Sequence, residues 1–107
     1  MIRIRYGTHG MGHAVRMGRL AKVLRQRGAT VDIRAYGTDQ EPLDRFLRDN
    51  PGCTLVLDRP VNEDSWLASL RPYVEKLVVV VGVGHAITRT TQWIADLILY
   101  QNAGKSY

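Results

Sequence analysis

Apolar residues fall into five short runs separated by stretches of helical spacing, and this alternation predicts an α/β chain. The first run, Ile2 to Tyr6, leads through a Gly7 to Gly12 loop into a helix from about His13 to Arg27. Ala14, Met17, Leu20, Ala21 and Leu24 form its apolar stripe, and Gly28 is placed to end it in the left-handed conformation. A second strand is expected from about Thr30 to Tyr36. Thr38-Asp39-Gln40-Glu41 then reads as a capping box for a short helix that turns Leu43, Phe46 and Leu47 inward and breaks at Asn50-Pro51-Gly52. Strand three is Thr54 to Leu57. Asn62 caps a third helix carrying Trp66, Leu67 and Leu70, which Pro72 ends. Strand four, Lys76 to Val81, is almost all valine, as expected of a strand buried on both faces. A short helix around Thr90 to Ala95 and a fifth strand from about Asp96 to Tyr100 complete the pattern.

Strands that alternate with helices demand right-handed crossovers and a parallel sheet. The expected fold is therefore a three-layer, Rossmann-like α/β domain over residues 1–100, with a C-terminal tail at 101–107. The expected strand order in its parallel five-stranded sheet is 3-2-1-4-5, with strands one and four adjacent at the centre. One tetrapeptide pattern occurs twice, as Gly10-Met11-Gly12-His13 after strand one and Gly82-Val83-Gly84-His85 after strand four. In this layout both turns flank one crevice at the switch point, where open α/β sheets bind ligands.

Composition narrows the classes. The chain has 107 residues, enough for one domain, and 45% hydrophobic residues, an ordinary globular share. No run approaches the roughly 18 apolar residues of a membrane span, and no secretory leader opens the chain. The single Cys53 excludes an intrachain disulfide and a cysteine metal cluster. These features fit a cytoplasmic protein. The net charge of +5 favours anionic partners. Nucleic acid is not favoured, because the few aromatic residues are not interleaved with the basic ones.

The candidate site is the first glycine loop. Gly7, Thr8, Gly10 and Gly12 let backbone amides approach a ligand, and the helix that follows offers free N–H groups and a partial positive charge. Its first turns hold His13, Arg16 and Arg19 and no acid, so a bound phosphate or diphosphate would complete the electrostatics. His13 suits a general base or a donor to phosphate, and helix capping or packing explains it too. Gly82, Gly84 and His85 form a secondary crevice. Asp39 is placed either to orient a sugar hydroxyl or to cap a helix. The dinucleotide fingerprint fails, since Val15 stands where its third glycine belongs. No serine lies on a strand-end elbow, and His13 and His85 lack a carboxylate third ligand for a metal.

Tyr6-Gly7-Thr8-His9-Gly10-Met11-Gly12-His13-Ala14-Val15-Arg16, followed by Leu20 to Val31, resembles the start of a GT-B glycosyltransferase of the MurG-type branch. Over residues 1–37 the resemblance is in sequence, and beyond that it is architectural. It implies an acceptor-side half-domain, with the Gly7 to Gly12 loop near a donor diphosphate and His13 at the place of a catalytic base. It implies no bound cofactor, only a nucleotide-sugar ligand. The second nucleotide-binding domain of that family is missing from these 107 residues, so the expected activity needs a donor-domain protein partner. The alternative expectation is a remnant scaffold or oligomerisation module that binds no nucleotide. Strand five, with Leu97 to Tyr100, would be an apolar edge, which predicts a homodimer.

Overall fold

The computed structural model describes residues 1–8, 12–58, 64–81 and 88–100. Five strands, β1 (Ile2–Tyr6), β2 (Val31–Ala35), β3 (Cys53–Asp58), β4 (Val74–Val81) and β5 (Leu97–Tyr100), form one sheet. Every pairing is parallel. Between them run α1 (Gly12–Gln26), α2 (Leu43–Asp49), α3 (Asp64–Leu70) and α4 (Arg89–Ile94), with a short 3-10 turn at Arg71–Tyr73. The expected α/β class and the five-stranded parallel sheet are present.

The neighbours within the sheet differ from the expected 3-2-1-4-5. The order is β2-β1-β3-β4-β5, so β3, not β4, lies beside β1. The residues explain why. Strand β3 is apolar along nearly its whole length, and Leu55, Val56 and Leu57 are all buried, as a central strand requires. Strand β2 alternates Val31 and Ile33 with Asp32 and Arg34, the pattern of a strand with one wet face, and it takes the edge. The chain thus moves one way through α1 and then crosses back through α2. The point where it reverses lies between β1 and β3, as in flavodoxin-like doubly wound sheets.

Among the described residues, helix α1 covers one face, where Met17 and Ala21 pack with Ile4, Val31, Val56 and Val80. Leu47 of α2 and Leu67 and Leu70 of α3 cover the other face against Leu55, Leu57, Leu77, Val79 and Val81, and Ile94 of α4 packs at the margin. The buried stripe of α1 begins at His13; Ala14, expected on it, is exposed. Gly28 ends α1 with φ +92°, the Gly28 N–H donates to the Arg25 carbonyl at 3.0 Å, and the Ala29 N–H reaches back to Leu24 at 3.0 Å. That is a Schellman cap, sealed by Leu24 and Ala29 on the same apolar cluster. The expected capping box is absent. Thr38 bonds the Ala35 carbonyl, and Pro42 precedes α2 without a side-chain cap.

Candidate functional site

The rim at the C-terminal ends of β1 and β3 is built by α1. Its own first turn carries no acid, and the amides at the start of this 15-residue helix lie at the rim. His13 is held inward, 7% exposed, because it occupies the first place on the buried stripe. Its Nδ1 lies 2.8 Å from Asp58 Oδ2. Asp58 ends β3 and is fully buried. A carboxylate only accepts, so the Nδ1–H of the neutral ring donates to Asp58 and the lone pair of the ring sits on Nε2.

Arg16, one turn further along α1, folds back over the helix start. Its Nη2 lies 3.4 Å from His13 Nδ1, and a side chain at Gly12 would begin 3.0 Å from Arg16 Nη1. A side chain there would make the guanidinium shift by a few tenths of an ångström. The Nε of Arg16 is buried and has no hydrogen-bond partner among the described residues. The same holds for Asp58 Oδ1 and for the hydroxyl of Tyr36. Burial, and then the charge of Asp58, hold the Tyr36 phenol far above its ordinary range, against the opposing effect of Arg5.

Structure thus brings Gly12, His13 and Arg16 together with Asp58 at the switch point. Gly7 is buried just past β1, and Thr8 is exposed beside it. Gly10, like Gly82, Gly84 and His85, lies outside the described residues. With β3 between them, β1 and β4 are not neighbours, so the ends of these two strands do not flank one inter-strand crevice. The α4 end of the rim also carries its own anion. Asp64 Oδ1 accepts from Thr88 Oγ1 at 2.8 Å and from Thr91 Oγ1 at 2.9 Å, while Thr88 caps α4.

Asp39 is committed elsewhere. Arg5, fully buried, donates from Nε and Nη2 to both Asp39 oxygens at 3.0 and 3.1 Å. Its Nη2 also bonds Asp32 at 2.9 Å, and Nη1 bonds the carbonyls of Ile4 and Asp32 at 3.1 and 3.4 Å. Arg3 bonds Asp32 at 2.8 Å, and its guanidinium lies 4.8 Å from the Phe46 ring centre. Asp39 thus anchors the loop after β2 to the sheet through Arg5. Among the described residues no cluster of His, Cys, Asp or Glu is able to hold a metal ion.

Sequence reading missed Asp58, Tyr36 and Arg5. The signal for Asp58 was present: one acid closing an otherwise apolar strand at the ligand-binding end. Comparison with family models, curated proteins and solved structures returns no match.

Proposed function

We propose that these residues form the acceptor-side half-domain of a GT-B-like glycosyltransferase, which acts together with a donor-binding domain. The observation that carries this reading is the His13–Asp58 pair at the head of α1, 2.8 Å apart at the switch point. In it, Asp58 orients the ring and balances the imidazolium formed when Nε2 takes a proton from an acceptor hydroxyl. The amides at the start of α1, with Gly7, Thr8, Gly10, Gly12 and Arg16, seat the diphosphate of a nucleotide sugar. No helix among the described residues is long and apolar enough to cross a membrane. A cytoplasmic location is part of the proposal and rests on the lone Cys53.

Titration with UDP, UDP-N-acetylglucosamine and inorganic diphosphate, followed at the amides of Gly12, His13 and Arg16 by NMR, tests the reading. Saturable shifts are expected with all three ligands. Arg16→Ala should weaken them by about tenfold, the worth of one charge-assisted hydrogen bond. No shift at millimolar ligand overturns the nucleotide reading. The second reading, an oligomerisation scaffold, draws on the exposed β5 edge, where Leu97, Leu99 and Tyr100 are 51%, 40% and 65% exposed.

A further inference from the structure

The two faces of the sheet are unequally covered among the described residues. On one face, α2, α3 and α4 set Leu47, Leu67 and Ile94 against the strands. On the other, α1 packs over β1 and β2, and Arg25 reaches the Val31 carbonyl at 2.8 Å on its β2 side. The opposite flank of α1 therefore looks toward β4 and β5. Past that flank no described helix lies over the sheet. Val78 and Val80 face the α1 side, and the in-register pairs Val78–Leu97 and Val80–Leu99 put both leucines there too. Leu97 and Leu99 are exposed. All-parallel sheets occur with helices over both faces. The bare strip is the width of β4 and β5, about 10 Å at the usual strand spacing, and a helix is about 10–12 Å across. It is the size of one helix.

Charge selects the occupant. Arg19, Val23 and Arg27 stand one turn apart on the flank of α1 that borders the strip, and the Arg27 N–H still bonds the Val23 carbonyl at 3.2 Å. Val23 is exposed between the two arginines, which are exposed as well. Lys76, two residues before Val78 on the same side of β4, closes one end of the strip. Neither α1 nor β5 contains an acid, and Glu75 is the single acid of β4. We propose that this strip is the docking surface for an amphipathic helix of a partner protein, apolar on its buried stripe and acidic on the flank beside α1. A second copy of the chain fits less well, because it brings its own Arg19 and Arg27 to the same basic wall. A flat lipid surface meets α1 first, since that helix stands a full helix diameter above the strip. A strand added at the β5 edge would widen the sheet and leave the strip bare. The surface lies on the face of the sheet and away from His13, so the inference goes beyond the sugar-transfer reading and does not depend on it.

The test uses the full chain and a synthetic amphipathic peptide of about 15 residues, long enough to be helical in water. The peptide has leucines along one stripe and glutamates on its flanks, and a control has lysine for every glutamate. Methyl NMR follows Val23, Val78, Leu97 and Leu99. The glutamate peptide should give saturable shifts at these methyls and bind about tenfold more tightly than the lysine peptide, the worth of two exposed ion pairs turned into repulsions. An Arg19→Glu, Arg27→Glu double variant, altered only at exposed positions, should reverse that preference, and Leu97→Lys should abolish binding of both peptides. An absence of saturable shifts, equal affinity for the two peptides, or an unreversed preference in the double variant would each overturn the proposal. A wild-type dimer from which excess glutamate peptide is excluded makes a second copy the occupant and overturns it as well. Shifts of the same methyls with phosphatidylserine vesicles and not with the peptide make a lipid surface the occupant, with the same consequence. Failure of the nucleotide titration leaves this inference standing, and failure here leaves the nucleotide reading standing.

Discussion

Replacing Asp58 with Asn isolates what the carboxylate does for His13. The contact is short, 2.8 Å, and buried, with Asp58 fully enclosed and His13 7% exposed. Such a charge-assisted hydrogen bond contributes about 1.5–3 kcal/mol. The opposite tautomer would turn the Nδ1 lone pair toward a carboxylate oxygen and forfeit all of it. At about 1.4 kcal/mol per decade, wild-type protein should hold the Nδ1–H form over the Nε2–H form by roughly 10- to 150-fold. In Asp58→Asn the side-chain amide presents both a donor and an acceptor, each worth about 0.5–1.5 kcal/mol, so the preference should fall to within about tenfold. Stability should change by no more than about 1 kcal/mol, because the weaker bond is offset by removal of a buried charge whose Oδ1 has no described partner. Long-range nitrogen–proton correlation spectra of the neutral His13 ring read the tautomer directly, and urea unfolding reads the stability. A wild-type ring mainly in the Nε2–H form, or an unchanged ratio in Asp58→Asn, would refute the claim that Asp58 orients this histidine.

Two further outcomes are expected. On the α1 face, Val78, Leu97 and Leu99 share a side of β4 and β5 that no described helix covers, and the edge of β5 is apolar. The wild type should therefore dimerise at high micromolar concentration by light scattering, and Leu99→Lys should be monomeric; a monomeric wild type removes the prediction. Burial raises both Cys53 and Tyr36 above their ordinary values of 9.0 and 10.0. Both groups hold their protons more tightly when folded than when unfolded, so their contribution is complete below about pH 9 and declines as pH rises further. Chemical denaturation at about pH 8 and about pH 11 should show this loss, reduced in a Cys53→Ala, Tyr36→Phe double variant; an equal loss in that variant places the cause elsewhere.

Strand and helix positions were legible because apolar spacing decides which segments bury a face, and the all-parallel sheet followed from their alternation. The order was not read: 3-2-1-4-5 was expected, and β3 lies beside β1 instead. Asp32 and Arg34 on β2 mark a wet face, and the unbroken Leu55-Val56-Leu57 marks a central strand, so strand composition places β3 inside and β2 at the edge. At the rim, His13 and Arg16 could be read because they sit beside the glycine loop in sequence. Asp58 is 45 residues from His13, and the pairing depends on β3 lying next to β1. Tyr36 and Arg5 were illegible for a related reason: an aromatic ring at a strand end and an arginine within a strand read as packing and surface until their partners are in place.

Two polar clusters in this fold obey opposite rules. Around Arg5, the Nε, Nη1 and Nη2 atoms all donate, both Asp39 oxygens are engaged, and Arg34 adds a 3.2 Å bond to Asp32. Only the Nε of Arg3 is left over there. A buried network satisfied to this degree fixes the geometry of a loop against a sheet and asks for nothing from outside. At the β1–β3 rim, by contrast, Asp58 Oδ1, the Tyr36 hydroxyl and Arg16 Nε are all buried and unpaired among the described residues. Each such group costs about 1–3 kcal/mol against a paired one. Concentration of these costs at the one place where the sheet topology opens a crevice is what a ligand site predicts and a plain scaffold does not. The scaffold reading therefore carries its own test. It requires that replacing Tyr36 and Asp58 together by Phe and Asn leave every ligand response unchanged, whereas a ligand site requires that the same variant lose its nucleotide responses.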